Sequence, residues 1–181
     1  MGRIDKLLIW TIPAVLIFTA GCSPSREPLS VLERDQRLPP DVEKVTPSED
    51  LMPPIMHSDE YEEPVPLGDG VNTSGAEDSP FVTPDGIFLY FTFVPDVRVP
   101  PEKQLIDGVT GLYRSQNKNG SWEPAERVLL NDDLSLDGCE TIQGDVMWFC
   151  SIRPGNYREV DLYTAEKIDG VWTNWKNTEN E

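Results

Sequence analysis

The chain has 181 residues, of which 17 are proline and 38% are hydrophobic, and its formal net charge is −17. This length normally forms one domain, and the low hydrophobic content with many prolines predicts that part of the chain does not pack into a core. Lys and Arg form no cluster, so we expect no nucleic-acid partner, and membrane attachment is expected to be covalent or hydrophobic because anionic lipid would repel the chain.

Residues 1–22 have the pattern of a signal peptide. Arg3 and Lys6 form a short positive start, and an apolar run over residues 7–18 follows, which is the arrangement of an export signal. A permanent transmembrane helix is the disfavoured alternative, because the run is shorter than the roughly 20 apolar residues that span a bilayer and Pro13 interrupts it. We therefore expect an exported protein.

The signal ends in the sequence Thr-Ala-Gly-Cys at Cys22. This ending resembles the lipobox of bacterial lipoprotein precursors, in which the Cys after small residues is acylated, although Thr19 stands where Leu is usual. The resemblance implies a cell-envelope protein anchored to the membrane by lipid on Cys22. Ser23, directly after Cys22, resembles the residue found at this position in lipoproteins sorted to the outer membrane, if the organism is Gram-negative. Plain secretion without lipid is the alternative.

Residues 23–60 are predicted to form a tether. Nine prolines fall between Pro24 and Pro66, and acidic residues crowd residues 41–63. Such a segment cannot bury enough apolar surface to offset its ordering entropy. Pro-rich chain is instead stiff and extended, which suits a spacer that holds a domain away from a membrane.

The remainder, residues 61–181, contains two similar units. Two Leu-Tyr dipeptides, ending at Tyr113 and Tyr163, are each followed by an Asn-Gly or Asp-Gly turn and a Trp. Earlier in the units, residues 80–83 correspond to 140–143 and residues 88–92 to 146–150. Internal similarity of this kind predicts structural copies that stack on one another.

Each unit is predicted to form four antiparallel strands joined by turns such as Pro-Asp-Gly and Asn-Gly. The second strand of the first unit is apolar on both faces, which predicts a strand covered on both sides. Four antiparallel strands per repeat of about 45 residues are typical of a propeller blade. The predicted strands are residues 79–83, 87–93, 112–117 and 121–130 in the first unit, and 139–142, 146–152, 162–167 and 171–176 in the second.

Two stretches resemble a known repeat. Residues 77–92, EDSPFVTPDGIFLYFT, look like the WD40-like β-propeller repeat of the Pro-Asp type found in TolB-like envelope propellers. Residues 151–172, SIRPGNYREVDLYTAEKIDGVW, are similar to the second half of that repeat. The resemblance implies an all-β fold of two four-stranded antiparallel propeller-type blades. The second unit lacks the Pro-Asp-Gly turn, and the first carries an insertion over residues 95–109 in place of the Arg-Pro-Gly loop.

Two blades cannot close a propeller ring, which usually needs four or more. Three arrangements are open: the chain belongs to a longer gene product, copies assemble side by side, or the two sheets pack as an open pair. The first is the preferred expectation. Self-assembly is expected if two blades are the whole domain.

Cys139 and Cys150 form a candidate disulfide. If the hairpin turns at residues 144–145, counting back along both strands places the two cysteines opposite each other, within disulfide reach. An exported protein is in a compartment that permits oxidation. The alternative is a pair of reduced cysteines packed as small apolar residues.

No catalytic residues, metal site or cofactor are expected. The one histidine, His57, lies in the tether, so the folded region lacks a Ser-His-Asp triad and a His-rich metal site. Pairs of carboxylates arise by chance in so acidic a chain, which makes a glycosidase-like acid and base pair the less favoured interpretation. Asp132, Asp133 and Asp137 carry oxygens suited to Ca²⁺, but their spacing matches no calcium loop.

Five aromatic residues recur at equivalent positions or close to them. They suggest either a carbohydrate-stacking surface or packing between the repeats, and recurrence once per repeat favours packing. They are Tyr113, Trp122, Tyr163, Trp172 and Trp175.

These observations predict a non-enzymatic cell-envelope lipoprotein with a propeller-type binding surface. Its expected partners are the membrane, through the lipid anchor, and an envelope protein or cell-wall polymer. The alternative, which rests on fold analogy, is a fragment of a carbohydrate-active propeller enzyme or a glycan-binding module.

Overall fold

The computed structural model describes residues 32–130 and 135–178. The predicted signal peptide and Cys22 lie outside the described residues. Regular structure in the described part is mostly β and forms two antiparallel sheets. The helical segments there are a 3₁₀ turn at Arg34–Arg37 and a short helix at Pro101–Gln104 within the predicted insertion.

The first four strands of the first sheet lie side by side in chain order, and the fifth pairs with the third. Its turns are those expected from Gly and Asn: Gly86 has φ +71°, and Asn119 and Gly120 both have positive φ, as a tight hairpin requires. The strands are β1 (Ala76–Val82), β2 (Phe88–Val94), β3 (Gly111–Lys118), β4 (Ser121–Trp122) and β5 (Glu126–Arg127).

The predicted fourth strand of this sheet, residues 121–130, is corrected to two short pieces. β4 and β5 both pair with β3, and they are separated at Pro124. Proline has no N–H to donate to the neighbouring strand, so the pairing with β3 is interrupted at Pro124.

The second sheet repeats the same order and confirms the four predicted strands of the second unit. Asp169 and Gly170 both have positive φ in the last hairpin, as Asn119 and Gly120 do in the first sheet. The strands are β6 (Leu136–Gln143), β7 (Val146–Ile152), β8 (Asp161–Ile168) and β9 (Val171–Asn177), with neighbours hydrogen-bonded in that order.

A β-bulge occupies the same place in both sheets. The register shifts between Asp78 and Phe81 in β1 and between Gly138 and Thr141 in β6. Ser79 and Cys139, which lie 60 positions apart, have left-handed φ values of 52° and 53°. The two units are therefore alike in strand order and in their main irregularity.

The core lies between the two sheets, which pack face to face. Tyr90 and Leu112 of the first sheet contact the inner face of the second sheet, and all of these side chains are buried. The second sheet contributes Met147, Phe149, Tyr163, Ala165 and Trp172.

β2 is covered on both sides, as its apolar sequence predicts. Leu89, Phe91 and Phe93 point away from the second sheet and form another buried cluster with Val71 and Tyr113. Leu32 and Leu38 pack against this cluster from outside. The first sheet is therefore the middle layer of three.

The outer layer is a segment that we call the strap, residues 32–44. The Leu32 N–H donates to the Gly108 carbonyl at 3.1 Å, and Arg34 is buried. The prediction of a spacer over residues 23–60 did not anticipate this packing. The next stretch, residues 45–66, which we call the linker, exposes apolar side chains such as Leu51 and Ile55.

Gly138→Ala is expected to destabilise the protein by about 1–3 kcal/mol. A Cβ at Gly138 would collide with the Thr92 side chain of the first sheet, where the Cys139 N–H also donates to the Thr92 hydroxyl at 3.1 Å. Gly68→Ala is the matched control, because a Cβ there meets no atom within 4 Å. Chemical denaturation measures both, and equal stability of the two variants would contradict the close approach.

Candidate functional site

Each sheet buries one arginine among aromatic rings. In the second sheet this residue is Arg153, which follows β7. Its guanidinium carbon lies 5.4 Å from the ring centre of Phe149, 4.4 Å from that of Tyr163 and 4.8 Å from that of Trp175. These distances are those of cation–π contacts.

Hydrogen bonds to side chains of the same sheet hold this arginine. Arg153 donates from Nη2 to Asp137 at 2.6 Å and from Nε to Ser151 at 2.7 Å. Ser151 in turn donates to Asp137 at 2.7 Å, and all three side chains are buried. The arrangement is a buried ion pair with one bridging hydroxyl.

In the first sheet the equivalent arginine is Arg34 of the strap. Its guanidinium carbon lies 5.5 Å from the ring centre of Phe91, 5.3 Å from that of Phe93 and 5.6 Å from that of Tyr113. Burial lowers the pKa of Arg34 below its ordinary value, and the nearby Glu77 carboxylate opposes this shift.

Backbone carbonyls complete the site of Arg34. Nη1 donates to the Val71 carbonyl at 2.7 Å, and Nη2 donates to the Gly70 carbonyl at 2.5 Å. Glu77 lies 3.6 Å from Nη1. We call the rings of Phe91, Phe93 and Tyr113 with Glu77 and these two carbonyls the Arg34 pocket.

The two clusters share an acidic residue and one stacked pair of rings. Their third rings differ, because the position of Phe93 in the first sheet is Ser151 in the second. Glu77 and Asp137 lie 60 positions apart, and the stacked pair Phe91–Tyr113, with ring centres 6.1 Å apart, matches Phe149–Tyr163 at 5.7 Å. By the spacing of 58 that relates β2 to β7, the equivalent of Arg153 is Pro95, at the start of the insertion. The strap therefore supplies an arginine that the first unit lacks.

The outer face of the second sheet, on the side away from the first sheet, is partly exposed among the described residues. Trp148 is 39% exposed and Leu162 is 41% exposed on this face. Their equivalents in the first sheet, Tyr90 and Leu112, are 1% and 0% exposed because the second sheet covers them. We call the face around Trp148, Cys150 and Leu162 the open face.

The structure changes the predicted register of the two cysteines. Gly138, rather than Cys139, is the residue opposite Cys150, because the bulge inserts an extra residue in β6. Both residues are free thiols. Burial raises the pKa of the Cys150 thiol, and the neighbouring Cys139 adds to this shift through its charge and a hydrogen bond. The thiols are thus neighbours, and the disulfide stays a prediction.

The same bulge buries a carboxyl group. Glu140 is 5% exposed, and neither of its oxygens has a hydrogen-bond partner among the described residues. Burial raises its pKa to about 7, and the Asp78 carboxylate adds to the shift. A general acid must contact its substrate, so this buried position favours a residue of the core over a catalytic one.

The recurrent aromatic residues lie in the core or at its edge. Tyr113, Tyr163 and Trp172 are buried, Trp122 packs beside the Arg34 pocket, and Trp175 covers Arg153 while remaining partly exposed. This placement agrees with packing rather than a carbohydrate-stacking surface.

The predicted metal and catalytic candidates do not come together in the described part of the chain. Asp137 is occupied by Arg153 and Ser151, while Asp132 and Asp133 lie outside the described residues. His57 is exposed in the linker. No group of three His, Cys, Asp or Glu side chains suited to a metal ion occurs among the described residues.

Comparison with known proteins gives no family: no protein-family model, curated protein or solved structure matches the chain. Within residues 32–130 and 135–178, no helix is long and apolar enough to cross a membrane.

Proposed function

We propose that the chain is a non-enzymatic lipoprotein of the cell envelope that binds an envelope protein or cell-wall polymer through the open face. Lipid on Cys22 holds it at the membrane, which is the outer membrane if the organism is Gram-negative. The two sheets act as consecutive propeller-type blades of the Pro-Asp WD40-like kind.

The observation that carries this proposal is the exposure of Trp148 and Leu162 on a face whose counterpart in the first sheet is a packing surface. Tryptophan is enriched among the residues that contribute most of the binding energy at protein interfaces. The sheets pack as stacked repeats do, and the outer face of a terminal repeat is normally polar, so exposed Trp148 and Leu162 mark this face as a contact surface.

The propeller interpretation is supported by the antiparallel order common to both sheets and by the bulge that recurs in the first strand of each. The bulge of the first sheet lies within residues 77–92, one of the stretches that resemble the Pro-Asp repeat. The lipid anchor is supported by the apolar run that ends at Cys22.

Capture experiments with the full-length protein test the binding proposal. The probes are detergent-solubilised envelopes and purified cell-wall polymer. We expect a Trp148→Glu/Leu162→Glu variant to retain at least about 10-fold less partner than the wild type, since two apolar anchors are replaced by charges.

The matched control is Leu51→Glu/Tyr61→Glu, which adds the same charge at exposed apolar positions of the linker. It should capture as the wild type does. Equal retention by both variants, or no retention above an unrelated lipoprotein, would count against the open face as a binding surface.

A further inference from the structure

We propose that the Arg34 pocket is a recognition site for an arginine-bearing extended peptide, and that the strap of a second copy of this chain can fill it in trans. The Arg34 pocket lies on the side of the first sheet that faces away from the second sheet. The open face belongs to the second sheet, so the two sites are distinct.

The pocket is built without the strap. Its rings come from β2 and β3, its carboxylate comes from β1, and its two carbonyls belong to residues 70 and 71. Only the guanidinium arrives from elsewhere, since Arg34 lies 43 positions before Glu77. A site whose receptor groups form one unit can accept the same ligand from another chain.

In the second sheet an arginine packs on the equivalent rings without a strap. There Arg153 lies on the equivalent pair of stacked rings, Phe149 and Tyr163, and beside an equivalent carboxylate, but it belongs to the sheet itself. In the first sheet the insertion begins at the position equivalent to Arg153, so the guanidinium comes from the strap instead. A strap from a second molecule can supply the same guanidinium.

The chemistry of the pocket selects arginine over lysine. Two nitrogens of Arg34 donate to two neighbouring carbonyls while the plane of the guanidinium lies among three rings. A lysine ammonium is a point charge and cannot make the paired donation and the stacking together.

The strap is attached to the rest of the protein by contacts that can be exchanged. Besides Arg34, Leu32 and Leu38 pack on the buried cluster of the first sheet. The polar contacts include the Leu32 N–H to the Gly108 carbonyl, Arg37 Nε to the Asp107 carbonyl at 3.2 Å, Lys44 Nζ to the Asn72 carbonyl at 2.9 Å, and two surface ion pairs. The ion pairs join Asp41 to Arg98 at 2.9 Å and Lys44 to Asp69 at 2.7 Å. Surface pairs of this kind contribute little to stability.

The linker permits the exchange. Its 22 residues (45 to 66) can extend to roughly 70 Å, more than the diameter of a domain of about 100 residues. A cavity of about 500 Å³ lies between the linker and residues 72–77, so the linker is not closely packed on the sheet. Exchange of an identical element between copies is a known route to dimers.

Peptide binding to full-length Arg34→Ala protein tests the pocket. The probes are fluorescent peptides of residues 32–44 with Arg, Lys or Ala at position 34. We expect saturable binding of the Arg peptide, at least about 10-fold tighter than that of the R34K or R34A peptide. Equal affinities, or no binding by a variant that circular dichroism shows to be folded, would overturn the proposal.

Strap exchange in the unmodified protein is tested by mixing isotopically heavy and light wild-type chains at high concentration, followed by zero-length carbodiimide cross-linking. Lys44 and Asp69 are close enough to be joined. Cross-linked peptides that combine one heavy and one light partner are expected. Their absence, with heavy–heavy and light–light products present, would overturn exchange whether or not the Arg34→Ala variant folds.

Discussion

Asp137→Asn is expected to destabilise the protein by about 3–5 kcal/mol, the usual cost of breaking one side of a buried ion pair. The Arg153 guanidinium loses its counter-ion while it stays enclosed by the second sheet and Trp175. Its Nη1 already lacks a partner among the described residues, so no spare acceptor is present to take over. Urea denaturation followed by tryptophan fluorescence measures the change.

Two further variants test whether the loss of stability comes from the unpaired buried charge of Arg153. Asp41→Asn removes one member of the exposed pair with Arg98 and is expected to cost less than about 1 kcal/mol. Asp137→Asn combined with Arg153→Met removes both charges and should recover part of the loss, because an apolar replacement leaves no buried charge. An Asp137→Asn variant no less stable than Asp41→Asn would show that the buried pair does not stabilise the fold.

Much of the sheet structure was predictable because its signals are local. Asn119-Gly120 and Asp169-Gly170 have the residues that a tight hairpin requires, and the strands beside them alternate or are apolar throughout. The predicted pairing of β6 with β7 was also correct from the turn at Gly144 back to Thr141. It failed at Cys139, whose left-handed backbone is not signalled by its residue type.

The candidate sites depended on contacts between distant residues, and for this reason sequence patterns missed them. The contact of Arg34 with the rings of Phe91 and Tyr113 joins segments far apart in the chain, and a lone Arg in a Pro-rich acidic stretch carries no sign of burial. The sequence repeat places Trp148 and Tyr90 at equivalent positions. Burial of either side chain depends on whether another sheet packs against its face, which the repeat does not show. The structure decides this for Tyr90, which the second sheet covers.

Glu140→Gln is expected to make the protein more stable above pH 7 by about 3 kcal/mol. The folded protein raises the pKa of Glu140 from 4.5 to about 7, so between these values the folded state binds a proton that the unfolded state has released. Stability therefore falls as the pH rises from about 4.5 through 7, and the carboxylate is destabilising at higher pH. Glutamine has nearly the same shape as glutamate and cannot ionise, so the variant lacks this pH-dependent loss of stability.

The measurement is the difference in unfolding free energy between Glu140→Gln and the wild type at pH values from 4 to 8. The difference should be near zero at the acid end and largest above pH 7, whereas other carboxylates cancel because both proteins contain them. Glu102→Gln, an exposed carboxyl on the short helix, is the control and should show no such rise. A difference that does not change with pH would mean that Glu140 ionises as easily in the folded protein as in the unfolded chain, and that the bulge does not bury it.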